Sequence, residues 1–218
     1  MANLREELKE LLSKQPFIEE ALHEDLINIS SLARKIRPEL ERRMGKVLND
    51  GAIVMAIRRT GPGLQLQLQN RFRKFISQLG DIIVRSNLVD FTVRNSNATV
   101  DCEFKFLQNI QDLPNGFYSF SRGVDETTIV ISSHYENALK DAFANEKVLN
   151  SLRSLSSITL KMPATNTETL GLYYYFFKNL SEGGINVIEV ISTSNEATFI
   201  VKQEDVDRAF SILNNLKK

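Results

Sequence analysis

The amino-acid sequence predicts an α+β fold in which a helical N-terminal head precedes two copies of one β-α-β-β-α unit. Three observations carry this. Apolar residues up to about Leu79 recur at spacings of three and four, the period of a helix packed on one side. From Gly80 onward the texture changes to short runs rich in Val, Ile, Thr and Phe, the residues that suit a pleated surface. The element order read over 82–145 then returns over 157–216, an internal repeat of ~65 residues.

In the head, Asn3 with Glu6 three residues later starts a helix running to about Lys14, with Leu4, Leu8, Leu11 and Leu12 turned inward. Pro16 restarts the chain, and Phe17, Ile18, Ala21 and Leu22 carry an apolar stripe to about Leu26. Pro38 lacks a backbone N–H and its ring crowds the preceding turn, so two short helices are expected, Ser31 to Arg37 and Pro38 to Met44. A fourth helix, Asn49 to Arg59, buries Ala52, Ile53, Val54, Ala56 and Ile57 and stops at Thr60-Gly61-Pro62-Gly63. Leu64 to Gln69 alternates like a strand, but Leu64, Leu68, Phe72, Phe75, Ile76 and Leu79 favour a connecting helix over 64–79. The short helices around Ile29-Ser30-Ser31-Leu32-Ala33-Arg34-Lys35-Ile36 are similar to the helix-turn-helix part of winged-helix proteins.

The first repeat, 80–152, reads as strand Ile82 to Asn95, helix Thr99 to Ile110, strand Gly116 to Ser121, turn Arg122 to Asp125 and strand Thr127 to Ser132. Ser133 and Glu136 then form a capping box ahead of a helix to about Asn145. The second repeat, 153–218, reads as strand Ser157 to Met162, helix Leu170 to Leu180, strand Gly184 to Thr193, strand Ala197 to Lys202 and helix Asp205 to Leu216. Units of this order build ferredoxin-like sandwiches, which end on a fourth strand. That strand is missing after the second repeat, and either a partner or a segment such as Ile82-Ile83-Val84 supplies it.

The runs Ser157-Ile158-Thr159-Leu160-Lys161-Met162-Pro163, Leu170-Gly171-Leu172, Asn179 to Val187 with its Gly183-Gly184-Ile185-Asn186 turn, Ile191 to Ser194 and Ala197 to Val201 resemble an ACT domain, above all the regulatory ACT units of aspartate kinase. The likeness spans about residues 156 to 218. Residues 80 to 150 are similar to a degenerate second copy in which Asn95-Ser96-Asn97-Ala98 lacks the helix-entry Gly. Tandem ACT units behind such a head resemble a group of prokaryotic regulators of amino acid metabolism. The resemblance implies a non-catalytic module that binds an amino acid or a similar small ligand. The kinase part is not carried over, since nothing before Ser157 offers a phosphate loop or nucleotide-binding strands.

The expected ligand site follows from that likeness and from helix physics. Gly171 lets the backbone approach at the start of a helix whose free N–H groups suit a carboxylate. Asn166, Thr167, Thr169 and Leu170 belong to the same loop; Asn186 and Val187 are expected to reach across from the next strand, and Glu189 to hold an ammonium. Helix capping by Asn166 or Thr169 and turn formation by Gly183, Gly184 and Asn186 account for the same residues without a ligand, and Glu168 opposes an anion. An open sheet edge and the surplus aromatics of Tyr173-Tyr174-Tyr175-Phe176-Phe177 predict a homodimer through this region.

Enzyme chemistry finds little support. His23 and His134 are the two histidines, Cys102 is a lone cysteine, and Gly61-Pro62-Gly63 lacks the Gly-Lys of a phosphate loop, so neither catalysis nor a metal or cofactor is expected. The chain carries 27 basic and 27 acidic residues, while residues 1–75 hold 14 basic against 10 acidic. That surplus prompts a DNA-binding alternative for the head through Lys46, Arg58 and Arg59. With no disulfide pair, no signal-like start and no apolar run of ~20 residues, the cytoplasm is the expected address and no membrane role is expected.

Overall fold

The computed structural model describes residues 3–15, 18, 21–22, 25–60, 75–110, 116–169 and 171–217. The chain divides into two units, 1–74 and 75–218. In the first, helices α1 (Leu4–Ser13), α2 (Ile29–Met44) and α3 (Asp50–Thr60) enclose Leu8, Leu11, Leu32, Ile36, Leu40 and Ile53. Asn3 caps α1 as expected, its side-chain oxygen accepting the Arg5 N–H at 3.1 Å. The expected break at Pro38 does not occur. Proline forfeits one backbone hydrogen bond, but Leu32, Ala33, Ile36 and Leu40 form one buried stripe across it, and α2 runs on to a left-handed Gly45. Ile29 to Ile36 is therefore the first half of a continuous helix, with no turn inside it. The helix expected after Pro16 and most of the connecting helix over 64–79 lie outside the described residues; Phe75 and Ile76 are helical and pack into the core of the second unit.

The second unit holds β1 (Ile82–Arg94), α4 (Thr99–Asn109), β2 (Tyr118–Arg122), β3 (Glu126–Ser132), α5 (Glu136–Ala142), β4 (Val148–Lys161), α6 (Leu172–Glu182), β5 (Glu189–Ser192), β6 (Glu196–Lys202) and α7 (Val206–Asn215). The strands form one antiparallel sheet in the order β2-β3-β1-β4-β6-β5. The long central strands each serve both repeats. Ile82, Ile83 and Val84 pair with Leu160, Thr159 and Ile158, while the other half of β1, from Leu88, pairs with the first half of β4 and with β3. The first half of β1 thus lies beside the second repeat, and the first half of β4 completes the first. Ile82-Ile83-Val84 is the strand that supplies the missing edge.

Midway along each, Asn87 (φ 59°) and Ser154 (φ 56°) take left-handed backbone where the register between the strands shifts. Such bulges sharpen the local bend of a strand. On the helix-covered face, Phe91, Phe106, Ile129 and Phe143 form the first core, and Ile158, Phe176, Phe199 and Leu213 the second. The opposite face is also buried: Leu88, Val130, Leu155 and Ile200 cluster there beside the hydroxyl pairs Thr92–Thr128 (3.3 Å) and Thr159–Thr198 (2.8 Å). Burial lifts the Glu189 carboxyl above its ordinary range, and the charges of Asp90 on β1 and Glu126 on β3 lift it further. Glu189 pairs with Ile200 and Asp90 with Val130, so both carboxyls belong to this face of the sheet.

Three expected boundaries shift. β4 begins at Val148, well before Ser157, and runs through the expected junction of the repeats at 152–153. Gly184 to Val187 is no strand: Gly184 (φ 70°) ends α6, with the Ile185 N–H returning to the Leu180 carbonyl, and β5 starts at Glu189. Ser133 makes no side-chain cap, because Ser133–Tyr135 forms a 3-10 turn and the Glu136 carboxylate goes to Arg153 and Lys140 instead.

Candidate functional site

Between β4 and α6 the chain takes a 3-10 turn, Ala164–Glu168, and the Asn166 side chain pins it. Its amide donates to the Pro163 carbonyl at 2.9 Å and to the Ser194 carbonyl at 2.5 Å, tying the loop to the β5–β6 hairpin. The Thr169 hydroxyl donates to the Thr165 carbonyl at 2.9 Å. Gly171 then adopts φ 79°, conformational space that a side chain would strain, and α6 begins without a side-chain cap. Tyr173 in the first turn of α6 meets Ser192 on β5, hydroxyl to hydroxyl, at 2.5 Å.

These contacts frame a cavity of about 430 Å³. Four of the expected residues, Asn166, Thr167, Thr169 and Gly171, line it, and Leu170 lies outside the described residues. The other three are elsewhere. Asn186 and Val187 follow the C-terminal end of α6, about 16 Å of helix from Gly171, and Val187 packs on the core. Glu189, in register with Ile200, lies on the opposite face of the sheet from α6. Their places are taken by Tyr173, Tyr174, Ser192 and Thr193. Tyr173 and Tyr174 stood out in sequence only as aromatic surplus, and Ser192-Thr193 as a strand end; their convergence depends on β5 starting late. Every polar group lining the cavity among the described residues is neutral, a hydroxyl, an amide or backbone.

Elsewhere, burial raises the Cys102 thiol above its ordinary range, which disfavours a reactive thiolate. The His134 ring lies against Tyr135, with centroids 3.9 Å apart, and His23 is outside the described residues. In the head, Arg37 pairs with Asp50 at 3.0 Å, and Arg43 reaches Glu39, Glu10 and Glu7. Lys46, Arg58 and Arg59 are exposed and make no ion pair with a described residue, but Lys46 precedes α3 whereas the two arginines end it. Among the described residues no helix is long and apolar enough to cross a membrane.

No protein-family model and no curated protein matches the sequence. Solved structures do match in fold. The ligand-free regulatory subunit of aspartate kinase from Thermus thermophilus superposes with a TM-score of 0.51 at 9% identity, covering 64% of this chain and 99% of that subunit. Aspartate kinase from Clostridium acetobutylicum gives 0.51 at 15% identity over 63% of this chain and 34% of the enzyme. Escherichia coli aspartokinase III, in complex with aspartate and ADP, gives 0.50 at 14% over 62% of this chain and 32% of the enzyme. The mixed helix and antiparallel-sheet architecture is thus one shared with aspartate kinase regulatory structures.

Proposed function

We propose that this chain is a non-catalytic regulatory protein of amino acid metabolism that senses an amino acid with an uncharged side chain at the start of α6. The observation that carries the reading is the cavity in which Asn166, Gly171, Tyr173 and Ser192 converge. A carboxylate fits the first turn of α6, where backbone N–H groups lack intrahelical partners, and the hydroxyls and the Asn166 amide suit polar groups without a counter-charge. The fold shared with aspartate kinase regulatory structures supports the same class of function. Thermal denaturation with each of the twenty amino acids tests it: a ligand at ~100 times its Kd adds about 2.7 kcal/mol to the native state. No shift across the panel, or a shift untouched by Gly171→Val, would reject the site.

A homodimer built through the second unit belongs to this proposal. The sheet ends on β2 and β5, and α4 exposes Val100 and Phe104, whereas Tyr173, Tyr175 and Phe177 of α6 pack largely against their own core. Light scattering that gives a monomer at tens of micromolar, on the order of working concentration, would reject it. Lys46, Arg58 and Arg59, which make no ion pair with a described residue, favour one second reading, a ligand-responsive DNA-binding head. Its test is duplex binding that weakens by about 0.9 log unit per neutralised phosphate for each tenfold rise in salt and is lost in Arg58→Ala/Arg59→Ala.

A further inference from the structure

Only the second half of β4 has a strand on each side. β6 pairs with Leu155 to Lys161 and then turns away as the 3-10 segment Gln203–Asp205, while β1 lies along the other edge. Val148 to Ser154 therefore pairs with β1 alone, and no described strand lies against its second edge. Where β6 departs, a notch of about 260 Å³ opens, with Leu152, Leu155 and Ile188 among its walls.

Four open stretches of edge occur among the described residues, and they are not alike. β2 offers Tyr118 with two serines and Arg122, β5 is four residues long with Glu189 and Ser192, and the first half of β1 sets Ile82, Ile83 and Val84 between Asp81 and Arg85. Short, polar or charged edges resist pairing with another chain. Val148-Leu149-Asn150-Ser151-Leu152-Arg153-Ser154 is the longest of the four and holds no proline. It exposes Val148 (46%), Leu149 (42%) and Leu152 (37%). Its single charge, Arg153, is already engaged by Glu136, with Nε 2.9 Å from Oε1.

The occupant that suits this edge is the same edge of a second copy. Antiparallel self-pairing runs about a two-fold axis normal to the sheet, so each residue lies beside one that shares its face. With the axis at Asn150, Val148 lies beside Leu152 of the second copy and Leu152 beside its Val148, Leu149 beside Ser151, and the two Asn150 amides meet. Apolar then meets apolar, amide meets amide, and no charge enters the five pairs. An axis at Ser151 would instead set Leu149 beside Arg153 and Asn150 beside Leu152. We propose that Val148 to Leu152 pairs with itself in a second copy, joining two six-stranded sheets into one. This rests on the homodimer reading above and names its interface. Five residue pairs fall short of a standard interface, so dissociation on the order of micromolar is expected.

Sedimentation equilibrium and cysteine cross-linking of the full chain test this. Val148→Lys, at an exposed position, is expected to keep the parent melting temperature and to weaken the dimer at least about tenfold, because an ammonium would face Leu152 of the second copy. Asn150→Cys in a Cys102→Ser background is expected to form a covalent dimer under mild oxidation, since residues astride the axis stand about 4.5–5.5 Å apart at Cα. Val124→Cys, in the β2–β3 turn, is expected to form none. A parent chain monomeric at tens of micromolar, on the order of working concentration, rejects the homodimer reading and this interface together. A dimer that persists in Val148→Lys, or one that cross-links through Ser121→Cys on β2 and not through Asn150→Cys, leaves the homodimer standing and overturns this interface. If Val148→Lys does not fold, the cross-link through Asn150→Cys decides.

Discussion

The two repeats share a strand order, a left-handed residue halfway along the first strand and a hairpin lock, the Asn95 and Met162 N–H groups donating to the Asp125 and Asn195 carbonyls, and they differ most in the loop that follows the first strand. In the first repeat Ser96 and Thr99 close the loop, the Thr99 hydroxyl accepting the Ser96 N–H at 2.8 Å, and α4 starts directly with Thr99 buried. In the second a 3-10 turn and the left-handed Gly171 lead into the helix, and a neutral cavity lies beside them. The first repeat's cavity lies instead beside the hairpin and is lined by the charged Arg94 and Asp125. A common backbone fixes where clefts can form, and the few residues after the first strand decide which one opens and what it attracts.

Because β1 and β4 pair across both repeats, the two are expected to unfold as one cooperative body, and this is the comparison most open to breaking. Phe199→Ala, in the second core against Phe176 and Phe177, is expected to cost about 3–5 kcal/mol, and its counterpart Ile129→Ala in the first about 2–5. The five tyrosines, 118, 135 and 173 to 175, all belong to the second unit, so the tyrosine band of the near-ultraviolet circular dichroism follows it alone. Both variants should lower a single transition. Two transitions, each moved by one variant, would show the repeats to be independent.

A smaller effect, about 2 kcal/mol, is expected for Ile82→Asp, which puts a charge against the second repeat's core from a strand that begins the first. Amide exchange should then accelerate more at Leu160, its pairing partner, than at Ile131. Equal acceleration at both would deny that the first half of β1 serves the second repeat in particular. Gly171→Val should cost about 1–3 kcal/mol from its left-handed backbone and remove the amino acid response, while an Asp125→Asn control keeps that response.

The weakest expected effect concerns pH. Burial raises Asp90 with only the Thr92 hydroxyl opposing it, and raises Glu189 together with the charges of Asp90 and Glu126. Groups raised in the folded state contribute stability in full below their unfolded values, near pH 4, and lose it as pH rises through the folded ones. Asp90→Asn and Glu189→Gln should therefore raise the melting temperature at pH 7 and do so less at pH 4. A gain equal at both values would mean that burial does not hold these carboxyls above their unfolded values.

What could be read from sequence followed burial. Glu126 to Ser132 and Glu196 to Lys202 are short runs of apolar and β-branched residues buried on both faces, and both strands emerged near their observed bounds. Val148 to Ser154 did not: the segment is exposed along its whole length, and a strand with no buried face has no periodicity to show. Pro38 signals a break locally, and the buried stripe of Leu32, Ala33, Ile36 and Leu40 overrides it. Within the site, the loop from Asn166 to Gly171 was legible from the family likeness and from Gly171 at the start of a helix. Ser192 and Tyr173 joined it only through the pairing of β5 with β6, and Glu189 was misplaced by the same pairing, one strand face away.

The sharing of β1 also sets a timetable for synthesis. Ile82, Ile83 and Val84 leave the ribosome well before Ile158, Thr159 and Leu160, against which they finally lie. At ~5–20 residues per second that interval is about 4 to 15 s. Throughout it the nascent chain carries an apolar strand whose mate among the described residues has not yet been made. Faster translation of the 95–157 stretch shortens the exposure, and slower translation favours exchange of β1 between chains.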